Sequence, residues 1–140
     1  MPARRGDTHM TDSGKQADGE TRLELAPEPT SAGDARRFVE RLLHRRKVPE
    51  QTRETAVLVS SDLVTNAFRH GEGKIELRVA VLEDRVRIEV IDSGHRQVPA
   101  VRQQQPDETG GWGLRIVDQL AMEWGVFEGT THVWADLALA

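Results

Sequence analysis

The sequence predicts an α+β two-layer sandwich, in which a mixed, mostly antiparallel sheet carries helices packed on one face. A chain of 140 residues with 37% apolar side chains is long enough for one domain with a single core. Strand-like alternation and helical periodicity follow one another in the order β-α-α-β-β-α-β-β. Because adjacent strands joined by short turns favour antiparallel pairing, we expect the helices to gather on one side of the sheet.

The first 20 residues differ in composition from the rest of the chain, because Gly, Asp, Ser, Thr and Lys dominate them. Such a segment buries too little apolar surface to offset its ordering entropy. We therefore predict a disordered tail over residues 1–20 and one folded domain over residues 21–140.

The first ordered elements are a strand and a helix. Leu23 and Leu25 alternate with polar residues and predict a short strand. Ser31 and Asp34 have the spacing of a capping box, which predicts the start of a helix that ends before Pro49.

This first helix is strongly basic. Between residues 34 and 47 it has two acids and six basic residues: Arg36, Arg37, Arg41, Arg45, Arg46 and Lys47. The basic residues form either a solvated outer face or a binding face for an acidic partner.

The remaining elements follow from the same periodicities. A second, richly apolar helix is predicted over residues 50–69, and Gly71 fits a left-handed cap. A hairpin over residues 75–90 turns at Glu83 and Asp84. Residues 93–111 have no periodicity and predict a lid, a binding loop or a disordered segment. A third helix over residues 112–123 and strands over residues 125–128 and 132–139 complete the domain.

Composition excludes several classes of site. The chain has no Cys, and none of its five His residues forms a close pair at metal-ligand spacing, so Cys- or His-based metal sites are not expected. A net charge of −4 argues against a dedicated nucleic-acid binder. The chain has neither an apolar run of bilayer length nor a signal peptide, which predicts a cytoplasmic location.

Three sets of polar and glycine residues could carry chemistry. Asp62, Asn66, Arg69 and His70 share one stripe of the apolar second helix, where they either line a cavity or form a structural network, with Asp62 paired to Arg69. Asp92 and Gly94 end the second hairpin strand, which is typical of a plain turn as well as of a site. Residues 110–114, Gly-Gly-Trp-Gly-Leu, open the third helix, where unpaired N–H groups either attract an anion or form a hinge.

The order of these sets resembles the GHKL (histidine kinase-like) ATPase superfamily. Residues 62–67, Asp-Leu-Val-Thr-Asn-Ala, look like its N box. Asp92-Ser-Gly94 looks like its first glycine box, and Gly111-Trp-Gly-Leu114 looks like its second. Residues 63–71 and 110–125 are more narrowly similar to the anti-sigma factor kinase-like branch, and to the stand-alone ATP-binding regulators of actinobacteria within it.

The resemblance implies a Bergerat-type ATP-binding fold and a role for each matched residue. Asn66 would hold Mg²⁺, Asp92 would accept a hydrogen bond from the adenine amino group, and Asp62 would be the general base. The other nucleotide-binding positions would be Arg69, His70, Gly94, Gly111, Trp112, Gly113, Leu114 and Thr131.

Two departures from the family pattern bear on these roles. The family usually has Glu where Asp62 stands, and the shorter side chain can weaken phosphoryl transfer. His132 occupies the place where the family tends to have the Thr that supports the adenine-binding carboxylate, so either Thr131 or His132 makes this contact.

The function predicted is that of an ATP/Mg²⁺-binding regulator. It would phosphorylate an anti-sigma antagonist-like protein as a serine/threonine kinase, or sequester a sigma factor, or both, with a homodimer as a further option. The alternative is a non-catalytic ATP-binding or protein-interaction module. A nucleic-acid binder is disfavoured by the acidic net charge and the lack of interleaved aromatic residues. A sensor histidine kinase is disfavoured because the chain has no dimerisation helices with a phospho-accepting His.

Overall fold

The computed structural model describes residues 20–70, 72–92, 114–127 and 132–139. Within these ranges the elements are β1 (Glu20–Leu25), α1 (Ser31–Arg45), α2 (Glu50–His70), β2 (Ile75–Val81), β3 (Arg85–Asp92), α3 (Leu114–Leu120), β4 (Glu123–Val126) and β5 (Val133–Ala138). The described strands form one sheet in the order β1-β2-β3-β5-β4. All four of its pairings are antiparallel.

The predicted α+β class and element order are confirmed. Alternation along β2 and β3 sends one set of side chains into the core, including Leu77, Val79, Val86 and Ile88, which are all fully buried. The apolar stripes of the helices cover this face, with α2 packed against β2, β3 and β5. The sheet therefore has one helix-covered face and one face that carries polar side chains.

The helices α1 and α2 run antiparallel against each other. Arg36 of α1 donates a hydrogen bond to Ser61 Oγ of α2 at 3.1 Å, and Glu40 further along α1 lies 3.4 Å from Arg53 Nε. Because the two contacts run in opposite order along the two helices, the first turn of α1 lies beside the second half of α2.

Three predicted boundaries are corrected. Thr30, not Ser31, precedes the first turn of α1 and makes no side-chain cap, and Ser31 Oγ instead donates to the carbonyl oxygen of Ala26 at 2.5 Å. The third helix ends at Leu120 rather than at residue 123, because Glu123 already belongs to β4 and pairs with Asp136. The fourth strand accordingly begins two residues earlier than predicted.

We call the face of the sheet that no described helix covers the helix-free face. It carries an ion network around one buried carboxylate. Asp136 is fully buried there, and it accepts hydrogen bonds from Arg87 Nε at 2.6 Å, from Arg87 Nη2 at 2.8 Å and from Arg85 Nη1 at 2.8 Å. The Arg87 guanidinium also lies 5.0 Å from the ring centroid of Trp134. These arginines cover the carboxylate and the indole in place of a second helix layer.

None of the described helices is both long and apolar enough to cross a membrane.

Candidate functional site

Asp62 and Asn66 are the centre of the candidate site. They lie four residues apart on α2, one turn and about 6 Å along the helix axis. Asn66 is only 4% exposed. Among the described residues, neither Asp62 Oδ2 nor Asn66 Oδ1 has a hydrogen-bond partner, although both atoms are buried. Native proteins rarely leave buried oxygens unsatisfied without a reason such as an unseen ion or ligand.

The electrostatics of Asp62 agree with this arrangement. Burial raises the pKa of the Asp62 carboxyl to about 6. Within the described part of the chain no cation is paired with it, so the structural network with Arg69 that the sequence left open is not formed. A carboxylate in such a place can take up and release a proton near neutral pH.

Asp92 lies in the sheet, on the side that α2 covers. It is the last residue of β3 and is 8% exposed. Its place in the alternation of Val86, Ile88 and Val90 puts it on the helix-covered side, where α2 packs against β3. The N-box helix and the end of β3 therefore meet on one side of the sheet.

The other predicted site residues divide into two groups. Arg69 is exposed and His70 half-buried at the end of α2, and Leu114 is the first residue of α3 and packs against the core. The second group lies outside the described residues, together with the predicted cap Gly71 and the loop over residues 93–111: Gly94, Gly111, Trp112, Gly113 and Thr131.

Of Thr131 and His132, the two residues predicted as possible supports for Asp92, His132 is not placed to make that contact. Its Nε2 lies 3.7 Å from Glu89 Oε1, and its ring centroid is 4.2 Å from that of Phe127. Glu89 belongs to the helix-free face with Trp134, its neighbour across the β3–β5 pair, whereas Asp92 belongs to the other face. His132 thus faces away from the candidate site, and Thr131 stays a prediction.

His132 has an electrostatic role on its own face. Burial tends to raise the pKa of Glu89, but the nearby His132 imidazole and the charges of Arg78 and Arg87 outweigh it and hold that pKa below its usual range. The pair therefore belongs to the ion network of the helix-free face.

A cleft that sequence reasoning missed adjoins the candidate site. It has a volume of about 210 Å³ and lies between the turn after β1, the start of α1 and the second half of α2. Its lining residues are Glu28, Pro29, Ala32, Val64, Thr65, Phe68 and Arg69. Thr65 precedes Asn66 on α2 and Arg69 follows it by three residues, and their place beside the N-box residues is the signal that could have indicated the cleft.

The described side chains can bind a metal ion here only if a bound nucleotide supplies further oxygen ligands. In the ranges that the structure describes, no three His, Asp or Glu side chains cluster to hold a metal by themselves. Asn66 Oδ1 is a hard oxygen ligand that no described residue occupies, and Mg²⁺ accepts one or two protein oxygens when phosphate and water supply the rest. The site therefore fits a Mg²⁺–nucleotide complex better than a metal ion alone.

Comparison with known sequences decides the family. The profile of the histidine kinase-like ATPase domain matches residues 25–136, well over half of the chain. The chain belongs to the histidine kinase-like ATPase domain family. The matched range contains Asp62, Asn66 and Asp92, so the family predicted from the three boxes is confirmed.

A solved structure agrees with the histidine kinase-like fold. The chain is similar to the crystal structure of the RsbU and RsbW domains of Rv1364c from Mycobacterium tuberculosis, with a TM-score of 0.63 and 22% sequence identity. The similarity covers 85% of this chain and 31% of that one, so the chain spans about a third of the longer protein. No curated protein matches the chain significantly.

Proposed function

We propose that this histidine kinase-like domain is an ATP- and Mg²⁺-binding regulator that phosphorylates a serine or threonine of an anti-sigma antagonist-like protein in the cytoplasm. Sequestration of a sigma factor is the second part of the proposal. The observation that carries it is the pair of buried, unsatisfied oxygens on Asp62 and Asn66 in a chain of this family. The likeness of residues 63–71 and 110–125 to the anti-sigma factor kinase-like branch supports the class of partner.

Nucleotide binding is assigned to residues from two elements. The Asn66 amide oxygen would hold Mg²⁺, which when bound neutralises charge on the phosphate groups. The Asp92 carboxylate would accept a hydrogen bond from the adenine amino group. It would reject guanine, whose carbonyl oxygen would face the carboxylate unpaired.

Arg69 and His70 follow Asn66 on α2, and we assign them to the phosphate end of the nucleotide. The glycines at positions 111 and 113 would offer backbone N–H groups to the same phosphates at the start of the third helix. Thr131 would support Asp92 at the adenine end.

Asp62 would be the proton acceptor in phosphoryl transfer. The acceptor hydroxyl oxygen forms a bond to the γ-phosphorus, the bond from that phosphorus to the β,γ-bridging oxygen breaks, and ADP leaves. The hydroxyl proton passes to an Asp62 carboxylate oxygen. A pKa of about 6 leaves this carboxylate ionised but still basic at neutral pH.

A non-catalytic binding module is the second candidate, and one observation favours it. Asp62 is one methylene shorter than the Glu that the family usually has at this position. If its carboxylate does not reach the acceptor hydroxyl, the domain would bind ATP and act only through protein contacts.

The first experiment measures nucleotide binding alone. Calorimetry with Mg-ATP should detect binding by the natural protein and a loss of about tenfold or more in Asn66→Ala, because a metal ligand is removed. Asp84→Asn, at an exposed position of the β2–β3 turn, is the control and should bind as the natural protein does. No binding of Mg-ATP by the natural protein would contradict the proposal.

The second experiment separates the kinase from the binder. The protein is incubated with γ-labelled ATP and each anti-sigma antagonist-like protein encoded in the same genome, and the label on serine or threonine is quantified. Transfer to one of them supports the kinase. Mg-ATP binding without transfer to any of them favours the binding module.

A further inference from the structure

The arginines of the first helix differ from those of the sheet in having few partners. On the sheet, Arg22, Arg78, Arg85 and Arg87 all form ion pairs with acids of their own or neighbouring strands. On α1, Arg37 pairs with Asp34 at 2.7 Å. Within the described residues no acid pairs with Arg41 or Arg45, although both are exposed.

These side chains form a regular array, which we call the arginine stripe: Arg37, Arg41 and Arg45. Positions i, i+4 and i+8 lie on one face of a helix and span about 12 Å. Arg46 and Lys47, also exposed, follow directly in the turn that ends α1 and extend the positive charge. Five cations thus stand close together on a protein whose net charge is −4.

The helix dipole accounts for only part of this charge. Cations are favoured in the last turn of a helix, where the negative end of the dipole lies. His44 and Arg45 are in that turn, but Arg41 is not. The stripe therefore contains charge that the helix does not require for its own stability.

The residues around the arginine stripe indicate whether its acidic partner is a nucleic acid, a membrane or a protein. Nucleic-acid binding is disfavoured because the only aromatic residue of α1, Phe38, packs against the core and is not available to stack on bases. Membrane binding needs apolar side chains that insert beside the cations. The exposed large apolar residues of the described chain all lie outside α1.

The position of α1 relates the stripe to the candidate site. Arg36, next to the first residue of the stripe, bonds to Ser61, which precedes Asp62 on α2. The start of α1 also borders the cleft that Thr65 and Arg69 line. The end of the stripe nearest the start of α1 therefore lies toward this cleft.

We propose that the arginine stripe is the docking surface for an acidic helix of the protein partner, whose carboxylates at i, i+4 and i+8 match Arg37, Arg41 and Arg45. This rests on the proposed function in one respect, namely that the partner is a protein. Guanidinium groups bind carboxylates through paired hydrogen bonds, so the match specifies register as well as charge.

The experiment uses two labelled helical peptides of equal composition and the full chain. One peptide has three Glu residues at i, i+4 and i+8, and the other has the same three Glu residues spread around the helix. Binding is measured by fluorescence anisotropy at low and at physiological ionic strength, since exposed ion pairs are screened by salt. We expect the aligned peptide to bind more tightly than the spread one.

The matched variants are Arg41→Gln/Arg45→Gln and Arg22→Gln/Lys74→Gln, which remove equal charge on and off α1. We expect the first to weaken binding of the aligned peptide by about fivefold and the second to leave it unchanged. Equal weakening in both variants, or equal binding of both peptides, would overturn the proposal. So would tighter, stripe-dependent binding of a DNA duplex or of phosphatidylserine vesicles.

Calorimetry with Mg-ATP on the same two variants separates this proposal from the proposed function. Both variants should bind Mg-ATP as the natural protein does, because neither changes a residue assigned to the nucleotide. If the natural protein binds Mg-ATP but does not bind the aligned peptide, the docking surface is overturned and the proposed function is not.

Discussion

Asp62 Oδ2 and Asn66 Oδ1 lie one helical turn apart on α2, and both are buried without a hydrogen-bond partner in the described part of the chain. Leaving a buried polar group unsatisfied costs about 1–3 kcal/mol. Two such groups on neighbouring turns support the proposal that this part of α2 binds a ligand.

The first prediction assigns different tasks to the two residues. Asp62→Asn keeps the shape of the side chain and removes the base, so Mg-ATP binding should persist while phosphoryl transfer falls by about 10²–10⁴-fold. Asp62→Glu adds one methylene and should match or exceed the natural rate. Transfer is measured with labelled ATP and binding by calorimetry.

Two outcomes would change this assignment. Equal transfer by Asp62→Asn and the natural protein would mean that Asp62 is structural. Transfer that is absent in the natural protein but present in Asp62→Glu would identify the natural chain as a binding module.

The second prediction concerns stability and pH without nucleotide. Because the pKa of Asp62 is raised to about 6 in the folded state, the fold favours the protonated carboxyl, and the contribution of Asp62 to stability falls as pH rises from about 4 to about 6. Asp62→Asn should therefore stabilise the protein above pH 6 by on the order of 1 kcal/mol, with the gain vanishing near pH 4. Thermal unfolding of both proteins across this range tests it, and a gain that does not depend on pH would contradict it.

The third prediction concerns nucleotide choice. If Asp92 accepts the hydrogen bond of the adenine amino group, Asp92→Asn should weaken ATP binding by about 1–3 kcal/mol, because a mismatched polar pair is left buried. The natural protein should bind ATP more tightly than GTP. Competition between the two nucleotides tests this, with circular dichroism as the control for folding, and equal affinities in the natural protein would refute the role of Asp92.

The fourth prediction concerns the helix-free face of the sheet. Asp136→Ala removes the buried carboxylate that Arg85 and Arg87 hold, and should lower the free energy of unfolding by about 2–3 kcal/mol. Asp84→Ala is the matched control, because Asp84 contacts the same Arg85 at the surface, 3.2 Å from its Nε. Urea unfolding should show little change for the control, and equal losses in both variants would contradict a special role for Asp136.

Much of the fold and of the candidate site could be predicted from local patterns. Val86, Ile88 and Val90 alternate with charged residues, and this period of two depends only on strand geometry. The spacing of Asp62 and Asn66 places them on one stripe of any helix that contains them. The order of the boxes then led to the family, because it matches the pattern of the histidine kinase-like ATPase domain that covers residues 25–136.

The sequence by itself therefore determined the element order, the family and the residues of α2 and β3 that form the candidate site. Only the tertiary structure decided which face of the sheet each residue of β5 occupies. His132 stands at the place where the family tends to have Thr, yet it contacts Glu89 on the face of the sheet opposite Asp92. Likewise, the cleft beside Thr65 depends on how α1 packs against α2, and only the folded structure shows that no acid of its described part pairs with Arg41 or Arg45. The physical reason is that periodicity is a property of each element alone, whereas pairing, burial and charge neutralisation are set by residues distant in the chain.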